Sequence, residues 1–315
     1  MGNDNQLNCW EISLELLSPL QVGIGNLGMV EKTDLYVPNR VFRGAFTNSL
    51  VSYYGKQNKE TFTKVTQELG QWGRDYGCAI HKGEPINPGQ CGDFEQYRNI
   101  FSSLFLSTDE CKTVWRPRYD LETNERIWVN GSTEKTEAEL RQLLSFTVTS
   151  TAYSPLHKDI NETLHATDLI THQYLSEDKS FKPVYLKGQF LLPKRIEELD
   201  VEPDEKVHQN ILNRMRLGGG RKQGWGRVRC VKLEQKDFNS QNPTALDELP
   251  YKDKKYRWLL SPDFRCTSNP NAYGRAFLSV YRIYKPGTTQ TGFGQNFSKG
   301  ELCWEAGSLI PVTNE

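Results

Sequence analysis

Leu217-Gly218-Gly219-Gly220-Arg221-Lys222-Gln223-Gly224-Trp225-Gly226-Arg227-Val228 lies between a helical and an extended pattern, and that position decides how the chain is read. Upstream, Val207, Ile211, Leu212 and Met215 share one face of a helix predicted to begin at about Asp204 and to stop at Gly218 as a C-cap. Downstream, Trp225 to Val231 reads as a strand. Five glycines within nine residues remove side chains that would keep a polyanion from the backbone N–H groups. Arg221, Lys222 and Arg227 supply phosphate donors, and Trp225 offers a face for a base. A Walker loop needs Ser or Thr after Gly-Lys and runs from strand to helix, as does a dinucleotide fingerprint. This loop runs from helix to strand, which excludes both. The plain alternative is a helix cap and a flexible turn whose arginines keep it soluble.

Working outward, Asn8 to Leu17 alternates apolar and polar residues and predicts a strand. Gly23, Gly25 and Gly28 mark a loop, Asp34 to Pro38 is extended, and Ala45, Phe46, Leu50, Val51 and Tyr54 carry helical spacing. Further on come a helical stretch from Lys59 to Trp72, a loop from Gly77 to Gly92, an apolar run from Phe101 to Leu106, and an exposed, mobile piece from Gly131 to Glu139. Phe146 to Tyr153 is a strand, and His165–Tyr174 with Lys182–Leu192 predicts a long hairpin. The order strand, helix, paired strands, helix, strand predicts an α+β, ferredoxin-like (RRM-like) βαββαβ core. On this reading residues 1–235 form that domain with an insertion over 55–145, and residues 236–315 form a β-rich C-terminal extension. An echo of Leu16-Leu17-Ser18-Pro19 in Leu259-Leu260-Ser261-Pro262 leaves open a degenerate second ferredoxin-like module.

A chain of 315 residues needs no disulfide or metal to fold. Its seven cysteines are scattered and odd in number, which suits reduced thiols in a cytoplasm. The first residues carry no basic, then apolar, leader, and no run approaches a membrane span. Acids and bases balance at 39 each. Yet Arg214, Arg216, Arg221, Lys222, Arg227, Arg229 and Lys232 follow one another without an intervening acid, which predicts one local anion site on a neutral protein.

A glycine-rich loop after the second helix of such a fold resembles that of the CRISPR-associated RAMP superfamily. Leu17-Ser18-Pro19-Leu20-Gln21-Val22-Gly23-Ile24-Gly25 looks like that family's first strand and small-residue loop. Tyr36-Val37-Pro38-Asn39-Arg40-Val41-Phe42-Arg43-Gly44-Ala45 resembles its entry to the first helix, with Asn39-Arg40 where Gly-Ser is usual. Trp304-Glu305-Ala306-Gly307-Ser308-Leu309-Ile310 resembles the strand typical of subunits that hold the CRISPR RNA 5′ handle. The resemblance implies a non-catalytic subunit of a type III effector complex, similar to the type III-D handle-capping member. It would bind CRISPR RNA, dock on the large polymerase-like subunit and the backbone subunits, and meet target RNA only indirectly. Its RNA contacts would be Gly218, Gly219, Gly220, Arg221, Lys222, Gln223, Gly224, Trp225, Gly226 and Arg227, with Arg40 and Arg43 as a second phosphate contact.

Two enzymatic alternatives come with the same resemblance. Backbone subunits of type III complexes cut target RNA with a loop aspartate and a divalent metal, and Asp34 or Glu31 would take that role here. Repeat-processing members use a histidine near the first helix, whereas the first histidine here is His81, followed by His157, His165, His172 and His208. No cofactor is expected. Cys78, His81, Cys91 and Cys111 are ligand types that suit zinc, at a spacing that matches no known finger.

Overall fold

Trp10, Ile12, Leu14 and Leu16 all point to one side of the first strand, and all four are buried. The computed structural model describes residues 7–56, 58, 60–66, 68–69, 100–151, 164–236, 245–251, 254–259, 264–265, 272–279 and 301–311. Six elements make the core: β1 (Leu7–Leu16), α1 (Asn39–Tyr53), β2 (Leu104–Ser107), β3 (Tyr185–Pro193), α2 (Glu205–Arg214) and β4 (Val228–Lys236). The sheet runs β4-β1-β3-β2, and each neighbouring pair is antiparallel. That is the strand order of a ferredoxin-like fold. Tyr36–Val37 extends the sheet beyond β2.

An aromatic cluster closes the space between sheet and helices. Phe42 and Phe46 of α1 meet Phe101 and Phe190 with ring centroids 5.0 to 6.1 Å apart. His208 of α2 packs on Trp10 at 5.1 Å, and burial pushes its imidazole down to about 4. It is therefore a neutral core residue. Asp204 caps α2 by accepting from the Val207 N–H at 2.7 Å, an interaction typically worth about 1 kcal/mol.

Three expectations are corrected. The second core strand is Leu104–Ser107, not His165–Tyr174, and so the apolar run inside the expected insertion belongs to the core sheet. All four of its residues are buried, as an inner strand covered on both faces requires. Leu164–Ile170 instead joins Ser145–Thr151, Val30–Thr33 and Gly23–Leu27 in a separate four-stranded sheet. Second, α2 ends at Arg214, not at Gly218. Met215 is extended and buried, and Arg216 pairs with Arg227, drawing the chain out of the helix before the glycines. Third, the piece expected to be exposed and mobile is exposed but forms regular structure: Thr133–Thr136 pairs with Arg126–Asn130 and leads into a helix, Glu137–Leu144. Thr136 and Glu139 cap that helix reciprocally, a Thr-x-x-Glu signature readable in the sequence.

The C-terminal region is β-rich, with no helix among its described residues. Trp258, Ala306 and Leu309 are buried in the same core as the sheet. The Trp258 indole donates to the Pro117 carbonyl at 2.8 Å, and the Tyr119 N–H donates to the Gly307 carbonyl at 3.0 Å. These bonds bring the Trp304–Ile310 motif against the 116–119 strand.

Candidate nucleic-acid interface

The glycine-rich loop is stitched at both ends to the segment that leaves β1. Leu17 N–H donates to Arg227 O, Gly226 N–H to Pro19 O and Gly219 N–H to Gln21 O, all within 3.0 Å. Arg227 N–H donates to the Ser18 hydroxyl at 2.9 Å. Such close approach leaves no room for side chains. A Cβ on Gly218 would lie 1.9 Å from the Gln21 carbonyl oxygen, and one on Gly226 1.9 Å from that of Leu217. Trp225, half-buried, lays its six-membered ring against Gly220, where a Cβ would meet Cε3 at 2.0 Å. Gly218, Gly220 and Gly226 thus have a reason within the chain as well as any toward a polyanion, Gly219 meets only the end of the Gln21 side chain, and Gly224 has open space around it. Trp225 buttresses the loop with one face.

The cations are what the loop displays. A single turn, Arg221–Gln223, rises between Gly220 and Gly224, and Arg221, Lys222 and Gln223 are exposed. Arg221 Nε donates weakly to Gly218 O at 3.3 Å. Arg216, Arg221, Lys222 and Arg227 make no ion pair among the described residues, whereas Arg229 pairs with Glu15 and Lys232 with Glu234. Arg214 lies 5.2 Å over the Tyr53 ring. So the seven-cation strip divides, and only its part at the loop is available to an anion.

A cleft of about 470 Å³ opens between this loop and the start of α1. Gly218, Gly219 and Arg221 form one wall, and Arg40, Val41, Gly44 and Ala45 of α1 form the other. Gln21 to Ile24, Asp34, Tyr36 and Glu305 complete it. Two arginines predicted from separate motifs, Arg40 and Arg221, thus face one space. Helix α1 has Pro38 at its N-cap position, with no side-chain cap and no acid in its first turn. Arg43 is half-buried and stands outside the lining, as do Lys222, Gln223, Trp225 and Arg227. Sequence reading did not single out Gln21, Gly44 or Glu305, although each sits inside a stretch that carried a resemblance.

Asp34 lines the cleft and is held by neighbours. It is 3% exposed, its Oδ1 accepts from Leu35 N–H at 2.9 Å, and Arg126 stands 3.4 Å away. Arg126 also pairs with Glu137 at 2.7 Å and lies over Trp128. Burial raises the Asp34 carboxyl to about 6, with Arg126 and the Leu35 N–H opposing the shift. Glu31 is exposed and accepts from Gln21 Nε2 at 2.6 Å. Of the described histidines, His165, His172 and His208, none lines the cleft. Cys78, His81, Cys91 and His157 lie outside the described residues; Cys111 is buried with its thiol toward Leu186 O.

A raised carboxyl binds its proton more tightly in the folded state, so Asp34 contributes stability as pH falls through about 6 and loses it above that. His208, held down at about 4, works in the opposite direction over the same range. The comparison with Asp34→Asn cancels the histidine. Wild type should gain about 1 kcal/mol on the variant between pH 7.5 and pH 5, read from paired urea titrations. A constant difference across that range would refute the assignment.

Fold and site together define an α+β, ferredoxin-like protein whose glycine-rich loop folds back on the β1–α1 connection. No family model matches the chain, and no curated protein does. Among solved structures, the type III-B Cmr-beta bound to cognate target RNA contains a similar chain, with 11% identity, 96% of this chain and 86% of that chain covered, and a TM-score of 0.42. The same complex with target RNA and AMPPnP gives a TM-score of 0.44 at 11% identity and the same coverage. A CRISPR protein from Archaeoglobus fulgidus gives 0.30 at 13% identity, covering 98% of this chain and 87% of that one. No helix of the described residues is long and apolar enough to cross a membrane.

Proposed function

We propose that this chain is an RNA-binding subunit of a type III CRISPR effector complex that holds the 5′ handle of the CRISPR RNA without cutting it. One observation carries the reading: Arg40 of α1 and Arg221 of the glycine-rich loop converge on one cleft, with Arg216, Lys222 and Arg227 exposed and free of ion pairs among the described residues. Clustered cations without carboxylate partners suit a phosphate backbone. The handle-holding role follows the resemblance of the loop, of the entry to α1 and of the Trp304–Ile310 strand, whose Glu305 reaches the same cleft. The large polymerase-like subunit and the backbone subunits would be its protein partners. A metal-dependent cut at Asp34 fits less well, because that carboxylate is already held by Arg126 and the Leu35 N–H.

Exchanging Arg221, Lys222 and Arg227 together for alanine should weaken binding of handle-bearing CRISPR RNA at least tenfold. It should also flatten the slope of log K against log salt by about 2, at roughly 0.7 per lost phosphate contact on a single strand. All three side chains are exposed, so the melting curve should hold. Unchanged affinity and slope would overturn the assignment. Incubation with Mg²⁺ should leave the RNA intact on a denaturing gel, and metal-dependent cleavage lost in Asp34→Asn would establish the nuclease instead.

A further inference from the structure

Resting on the RNA-binding reading, we propose that the cleft between the glycine-rich loop and α1 takes one unpaired nucleotide. Its phosphate would lie on Arg40 and Arg221, and the donor-bearing Watson–Crick edge of its base on Glu305, so that guanine is preferred and uracil rejected.

The lining of the cleft carries both signs of charge. Two of its guanidiniums, Arg40 and Arg221, have no carboxylate partner among the described residues. Its acids are Glu305 and Asp34. Glu305 uses one oxygen, Oε2, to accept from the Tyr119 hydroxyl, and its Oε1 has no hydrogen-bond partner among the described residues. Asp34, which also lines the cleft, is nearly closed off from solvent and tied to Arg126. Gln21 spends one of its two amide N–H donors on Glu31. The volume, about 470 Å³, falls within the roughly 300–1,000 Å³ of small-ligand sites. Val22, Val41 and Ala45 supply apolar walls for a ring.

A carboxylate only accepts hydrogen bonds. Guanine presents two adjacent donors, N1–H and the N2 amine, which match both lone-pair directions of a carboxylate. Cytosine and adenine present one amine beside an acceptor. Uracil presents a single N–H between two carbonyl oxygens, which the carboxylate repels.

Gly44 supplies an independent sign that the space is kept open. It sits within α1 and lines the cleft, and a Cβ there would meet nothing within 4 Å. A glycine inside a helix is less favourable than alanine, and no packing contact requires it here. The missing side chain leaves room for a guest.

The test titrates the full chain with 5′-GMP, 5′-CMP, 5′-AMP and 5′-UMP by ligand-observed NMR, alongside a labelled handle-bearing RNA. GMP should bind about tenfold more tightly than UMP, in line with the discrimination of a bidentate base contact. Glu305→Gln, which keeps an acceptor for Tyr119, should collapse that preference. Gly44→Leu should exclude all four nucleotides while the protein, better suited to its helix, keeps its melting curve and still binds the labelled RNA through Lys222 and Arg227. Equal binding of GMP and UMP, or a preference that survives Glu305→Gln, overturns the base site but leaves RNA binding standing. Failure to bind the labelled RNA overturns both.

Discussion

Gly226→Ala is expected to cost about 3 kcal/mol or more and to weaken RNA binding as far as removal of the loop cations does, although the residue touches no ligand. Its φ of +74° is left-handed, which costs an ordinary residue about 1–2 kcal/mol. The added methyl would also lie 1.9 Å from the Leu217 carbonyl oxygen, a backbone atom that cannot turn aside. Relief requires moving the strand start, which breaks the Gly226–Pro19 and Leu217–Gly226 hydrogen bonds, each contributing about 1 kcal/mol. Those bonds hold the loop on the β1–α1 connection, so Arg221 would leave the cleft with them. Gly224→Ala is the control. Its φ is also left-handed, at +83°, but a Cβ there meets nothing within 4 Å. That change should cost only about 1 kcal/mol and leave binding in place. Thermal melts and fluorescence anisotropy on both variants decide it, and equal melting temperatures would show that the loop is not stitched as described.

The second large effect belongs to Arg126, a residue remote in sequence from every motif. Its side chain is 10% exposed and joins Asp34 to Glu137, with Nε and the terminal nitrogen both directed at the Glu137 carboxylate. Arg126→Met removes the cation and strands Asp34, so the loss should reach about 3–5 kcal/mol at pH 8. Glu137 keeps a partner in Arg141, at 2.8 Å, and suffers less. Acid should soften the defect: without Arg126, the Asp34 carboxyl takes up a proton more readily still, and a neutral acid tolerates burial. Adding Asp34→Asn to Arg126→Met should recover part of the loss at pH 8 and little at pH 5. Chemical denaturation of the two single variants and the double variant at both pH values measures the coupling. Strict additivity would mean that the 3.4 Å contact contributes nothing.

The framework was legible from local pattern. Alternation in Leu7–Leu16, helical spacing after Asn39 and the Asp204 cap follow from local periodicity and capping, which neighbouring residues carry without reference to the rest of the chain. The cationic loop was equally legible, because composition alone concentrates arginine and glycine there. What lay beyond local pattern was partnership. Leu104–Ser107 and Leu164–Ile170 are both short runs able to form strands, and only the competition for the inner edge of β3 assigns the fully buried one to the core. Local pattern did not show that Gly218, Gly220 and Gly226 also make close contacts with Gln21, Trp225 and Leu217, atoms up to about two hundred residues away in the chain. Asp34, a catalytic acid only by the resemblance, gains its ion pair from a hairpin ninety-two positions later. Glu305 reaches the cleft from the far end of the chain. Side-chain periodicity is local, but the charge partner of a buried acid and the atom that forbids a Cβ are fixed by packing, and packing exists only once the chain has folded.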